Sequence, residues 1–154
     1  MLSDSTLVWT VQGLTPVFLR LALGVSFLSA VADRFGVLGQ PGARNIAWGD
    51  FVHFTQYTAR LNPWAPAVLV PVLAWATTTG ELVLGVALIA GLYTHEAALA
   101  SAVLLLLFAF GMSIGTGVKS ALNASVFSAA AAAFALSLLG PGPWSVDGLR
   151  RLGS

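Results

Sequence analysis

Apolar positions in this chain come in blocks long enough to cross a bilayer, separated by short polar punctuation. A hydrocarbon core of about 30 Å takes about 20 apolar residues at a rise of about 1.5 Å each. Residues 16–35 meet that length, with Pro16 suited to a first helical turn. Residues 66–92, 96–113 and 122–139 supply three more candidates. The breaks are turn chemistry: Gly91-Leu92-Tyr93-Thr94-His95-Glu96, the glycines and Lys119 between Gly111 and Lys119, and Gly140-Pro141-Gly142-Pro143. Short connections favour antiparallel neighbours. The pattern therefore predicts one all-α integral membrane domain over residues 1–154, a four-transmembrane-helix up-down bundle. Ala30-Val31-Ala32 before Asp33 also has the form of a signal-peptidase site, but no Lys or Arg precedes Thr15, so the first block reads as a retained span.

The long connection, 36–63, breaks the rhythm. Phe51, Phe54, Thr58 and Leu61 fall on one helical stripe, with His53, Gln56 and Arg60 on the other side. This is an amphipathic helix, either lying in the membrane interface or folded onto the mouth of the bundle. Asn62-Pro63 ends it, and Trp48 and Trp64 flank it as interfacial tryptophans do. Arginine and lysine are nearly balanced between the two sets of loops, so orientation stays open, with a slight bias of loops one and three to the inside.

Composition sharpens the class. Hydrophobic residues make up 57% of the 154 positions and charged residues 8%, too few to cover a soluble domain. A net charge of +1 with no basic run excludes a nucleic-acid partner. The absence of Cys excludes thiol chemistry, iron–sulfur ligation and thioether haem attachment. No metal, haem or flavin motif is evident, and the two histidines fall on opposite sides of the predicted bundle. Any redox role must use a bound cofactor or a partner subunit.

The informative residues are the polar ones inside apolar blocks, because a charge in hydrocarbon costs about 2.5–3.5 kcal/mol on insertion scales. Thr77, Thr78, Glu81 and Gly85 share a face too polar for lipid, so Glu81 points into the bundle. Arg20, on a stripe with Gly24, Phe27, Val31 and Arg34, differs from Glu81 in depth by about 8 Å, within reach of a guanidinium. The expectation is a structural Arg20–Glu81 ion pair, direct or bridged by water or Thr78; the alternative is a neutral Glu81 able to relay a proton. A second group, Asp33, Arg34, Asp50, His53, Arg60, Lys119, Asn123 and Ser125, gathers at the loop-one mouth. With Trp48, Trp64 and Phe127 as walls it is suited to an anion or a quinone head group, or is ordinary interfacial polarity.

Arg20-Leu21-Ala22-Leu23-Gly24, Phe27 and Arg34-Phe35-Gly36 resemble the opening of DoxX-type membrane proteins. The resemblance extends through Gly80-Glu81-Leu82-Val83-Leu84-Gly85, Gly91-Leu92-Tyr93-Thr94, Gly117-Val118-Lys119-Ser120, Ser125-Val126-Phe127-Ser128 and Gly142-Pro143-Trp144-Ser145-Val146-Asp147. It implies a four-helix fold in a bacterial or archaeal plasma membrane. It also implies a subunit of a quinone-linked redox system, as in thiosulfate oxidation, with a redox partner subunit. Two departures are Arg34, where the family carries lysine, and Leu122-Asn123-Ala124-Ser125, which lacks that family's acid and phenol. On this reading Glu81 is the catalytic candidate, and Arg34, Arg60, Lys119, Asn123, Trp64 and His53 bind quinone or substrate. The rival function is a non-catalytic scaffold or assembly subunit, itself able to form a homo-oligomer. Small-solute transport fits less well, since four short spans leave little room for alternating access.

Overall fold

The structure, a computed structural model, describes the backbone of residues 4–152 and the side chains of residues 13–150. The described residues form seven helices and no strand: α1 (Asp4–Arg34), α2 (Phe51–Leu61), α3 (Val70–Ala90), α4 (Thr94–Gly115), α5 (Val118–Asn123), α6 (Val126–Leu139) and α7 (Val146–Leu152). α1 packs on α3, α3 on α4, α4 on α6, and α6 returns to α1, which closes a ring of four helices. α2 folds onto one end of it, against α1, α3 and α4.

Three of these helices, α1 from Gly13, α3 and α4, are long and apolar enough to cross a membrane. Their lipid-facing surfaces are what the composition requires: Phe18, Val25, Val72, Val83, Leu107 and Phe110 are all exposed. The fourth expected span, 122–139, is not one helix. It breaks at Ala124-Ser125, where Ser125 takes a left-handed φ of 55°, and the apolar helix that follows has 14 residues. At about 1.5 Å per residue α6 covers about 21 Å, short of the hydrocarbon thickness. Three helices, not four, therefore meet the crossing length alone.

Pro16 does not open a helix either. It lies inside α1, where the chain is already helical from Asp4, and Gly142 of the C-terminal segment packs against its ring. A proline without its N–H is tolerated inside a helix where neighbouring chain covers the gap. The second and third spans begin and end within a few residues of expectation, with Gly91 (φ 65°) terminating α3 through bonds from Gly91 and Leu92 to the carbonyls of Leu88 and Ala87.

Close contact fixes the register of α1 on α3. A Cβ on Gly24 would lie 2.7 Å from Ile89 Cγ1 and 2.9 Å from the Gly85 carbonyl, so both helices need glycine where they cross. That crossing sets residue 24 opposite 85 in antiparallel order, with Arg20 beside Leu88 and Ile89. The core between the helices is Leu23, Phe27, Leu88 and Leu105 with alanines of α4 and α6.

Candidate functional site

Glu81 is buried in the bundle, and its partner is Arg34, not Arg20. Arg34 Nη2 stands 2.5 Å from Glu81 Oε2, an ion contact that lacks hydrogen-bond alignment. Both side chains are almost fully buried, at 2% and 3% exposure. In the register set by Gly24 and Gly85, Arg34 starts about six residues from Glu81, a gap of about 9 Å, and its extended stem closes it. Arg34 Nη1 donates to Thr78 Oγ1 at 2.8 Å, and that hydroxyl donates in turn to the Ala74 carbonyl. The guanidinium carbon lies 3.7 Å from the centre of the Phe54 ring and 5.3 Å from that of Trp48. Aromatic faces thus help hold a cation that has left water.

The neighbouring Asp33 explains why those aromatics are in place. Its buried carboxylate accepts the backbone N–H groups of Ala47, Trp48 and Gly49 at 3.1, 3.1 and 3.3 Å. This ties the loop to the end of α1. Asp50 then caps α2 by accepting the His53 N–H at 2.8 Å, and the stripe Phe54, Thr58 and Leu61 turns inward. That bond and the His53 ring beside it hold the exposed Asp50 carboxyl below its usual range. At its other end α2 is seated on α4, where a Cβ on Gly115 would overlap the backbone of Arg60 and Leu61.

Under this roof lies a mostly apolar, partly open cavity of about 900 Å³. Arg34, Glu81 and Thr77 supply polar lining, while Leu23, Phe27, Leu105 and Phe108 form apolar walls. Trp48, Phe54 and Tyr57 close it from the α2 side. Burial raises the Tyr57 phenol above its ordinary pKa. The size is that of a small-molecule site. One donor is left over: Arg34 Nε is buried with no hydrogen-bond partner, an arrangement rare in folded chains unless a ligand or water completes it.

Of the residues singled out in the sequence for the ion pair and the mouth, the structure brings Arg34, Glu81, Ser125, Trp48 and Trp64 to the cavity wall. Arg60, Lys119, Asn123 and His53 are exposed and do not line it. The Arg20–Glu81 pair is replaced by a different use of Arg20, which donates to the carbonyls of Leu88, Ile89, Pro141, Pro143 and Trp144. Leu88 and Ile89 end α3, and the other three carbonyls lie in the segment after α6, so Arg20 joins two chain ends and needs no carboxylate. Asp147 closes the same end: its carboxylate takes the Tyr93 and Thr94 N–H groups and the Thr94 hydroxyl. Tyr57 and the stacking role of Phe54 escaped the sequence reading. The inward stripe of α2 was the available signal for Phe54.

A helical bundle with three helices long and apolar enough to cross a bilayer, and a cavity beside one buried ion pair, defines an integral membrane protein. The family described as methylamine utilisation protein MauE matches residues 6–125, well over half of the chain, and the chain belongs to that family. This corrects the DoxX resemblance: MauE is a different membrane family, and thiosulfate chemistry, which rested on that resemblance, goes with it. The shared glycine and arginine positions report close helix crossings and buried charges that small membrane bundles have in common. Neither the comparison with curated proteins nor that with solved structures gives a match.

Proposed function

We propose that the chain is the ligand-holding membrane component of a redox system of the methylamine-utilisation kind, and that the group held at Arg34 is a quinone carbonyl. The family supports the redox setting. The observation that carries the ligand reading is Arg34, on the wall of an apolar cavity and with its buried Nε unpartnered. A carbonyl oxygen there would gain a charge-assisted hydrogen bond. Glu81, beside the same guanidinium, is the candidate relay for the proton that the reduced oxygen needs: its carboxylate first takes a proton and then passes it on. Electrons would come from a partner subunit, since the chain has no Cys. The bundle would cross the bilayer four times, with α5 and α6 together forming a broken fourth crossing.

A scaffold role is the second reading. Arg20 and Asp147 favour it, because their hydrogen bonds close the bundle end and neither lines the Arg34–Glu81 cavity. Purification in mild detergent followed by quinone extraction separates the two. About one quinone per wild-type chain, lost in Arg34→Ala with the fold intact, supports the ligand reading. No retained quinone, with Arg34→Ala altering only partner co-purification, supports the scaffold.

A further inference from the structure

We infer that the Arg34–Glu81 cavity is filled sideways from the bilayer, by a neutral quinone whose tail leaves past a rim formed by Trp64 and, on α4, by Leu107, Phe110 and Ile114. The inference rests on the quinone reading above and adds the route, the charge class and the residues that select for a tail.

Three observations carry it. First, the four rim residues line the cavity and are nonetheless 57–66% exposed, so the wall is open where they stand. Leu107, Phe110 and Ile114 lie three and four residues apart on one stripe of α4, inside an apolar span. Exposure on that stripe, inside the span, means contact with lipid chains. Second, the polar end is electrically balanced. Arg34 carries one positive charge and Glu81 one negative, in direct contact at low exposure. An anion would meet Glu81 as well as Arg34, and a cation the reverse, whereas a neutral oxygen acceptor uses Nε without disturbing the pair. Third, the pair is covered on its α2 side: Phe54 and Trp48 lie over the guanidinium, and α2 is seated against Gly111 and Gly115 of α4. A polar head at Arg34 and an apolar tail at the rim describe one membrane-dissolved molecule.

The test uses the full chain in nanodiscs with two probes: decylubiquinone, which has a tail, and 2,3-dimethoxy-5-methyl-1,4-benzoquinone, which has none. Leu107→Trp and Ile114→Trp fill the rim from exposed positions outside the buried core. Val103→Trp is the control, exposed on the same helix but off the cavity. The rim variants should weaken decylubiquinone by about tenfold or more, the scale at which a filled apolar pocket discriminates. The tailless probe should bind wild type and variants alike, and Val103→Trp should change neither. Rim variants that leave both probes unaffected, or weaken both equally, would overturn the lateral route while leaving the quinone reading standing. A wild type that binds neither probe would sink both. Tight retention of phospholipid that decylubiquinone does not displace would make an acyl chain the occupant and also overturn the inference.

Discussion

Arg34 and Glu81 meet at 2.5 Å inside the membrane domain although the helix register separates them by about six residues. Thr78 holds the second guanidinium nitrogen, Phe54 covers its face, and Nε alone has no partner among the described residues. A pair assembled this way is costly to break on one side. Glu81→Leu should destabilise the folded chain by about 3–5 kcal/mol, because it strands a buried cation. Glu81→Gln keeps an oxygen for the guanidinium and should cost about 1–3 kcal/mol. The double change Arg34→Leu with Glu81→Leu should recover part of the single-change loss. Denaturation in detergent checks the order; equal losses in Gln and Leu variants would contradict it.

Arg20 predicts a different kind of failure. Its guanidinium joins the end of α3 to Pro141, Pro143 and Trp144. Arg20→Lys keeps the charge but cannot present a fork to several carbonyls at once. Hydrogen exchange and proteolysis should then rise in residues 140–147, with the Arg34 site unchanged. Loss of ligand binding without local loosening would point elsewhere.

Gly115 tests the seat of α2. Any Cβ there meets the Arg60 carbonyl and the Leu61 backbone, neither a flexible side-chain end. Gly115→Ala should therefore cost about 1–3 kcal/mol and loosen α2. Trp48 fluorescence, read in a variant with the other tryptophans replaced by phenylalanine, should shift toward a more exposed environment. An unshifted spectrum would mean that α4 moves instead.

Asp147 gives the pH dependence. Burial pushes its pKa up, but the N–H and hydroxyl of Thr94, the Tyr93 N–H and the charge of Arg150 outweigh that, and the net shift is downward. A carboxyl with a depressed folded-state pKa contributes stability above its unfolded value, about 3.9. That contribution is lost as pH falls through the lower folded value. Asp147→Asn should cost about 1 kcal/mol at neutral pH, as for loss of a helix cap, and should flatten the acid limb of the stability curve. Melting profiles of both chains between pH 2 and 7 read this directly.

The sequence makes α2 legible because Asp50, Phe54, Thr58 and Leu61 obey both capping and spacing rules, and burial follows them. It also marks Glu81 as interior, since nothing else tolerates a carboxylate in an apolar span. Partner choice is another matter. Depth counting offers Arg20 to Glu81, but the carbonyls that satisfy Arg20 arrive largely from residues more than 120 positions away. The Gly24–Gly85 crossing that sets the register depends on Ile89 and Leu28 packing, which no periodicity reveals. Asp33 was visible as a polar residue at a span end, yet its grip on three N–H groups exists only once the loop has folded.

The most direct test of the central claim is thermal protection of the detergent-purified chain by decylubiquinone, in wild type and in Arg34→Lys. Lysine preserves the charge facing Glu81 but removes Nε, the donor assigned to the ligand. The account predicts a dose-dependent rise in melting temperature for wild type, and a variant that folds but shows little or none. Equal protection of both chains would show that Arg34 Nε does not hold the ligand, and no protection of wild type would contradict the quinone site itself.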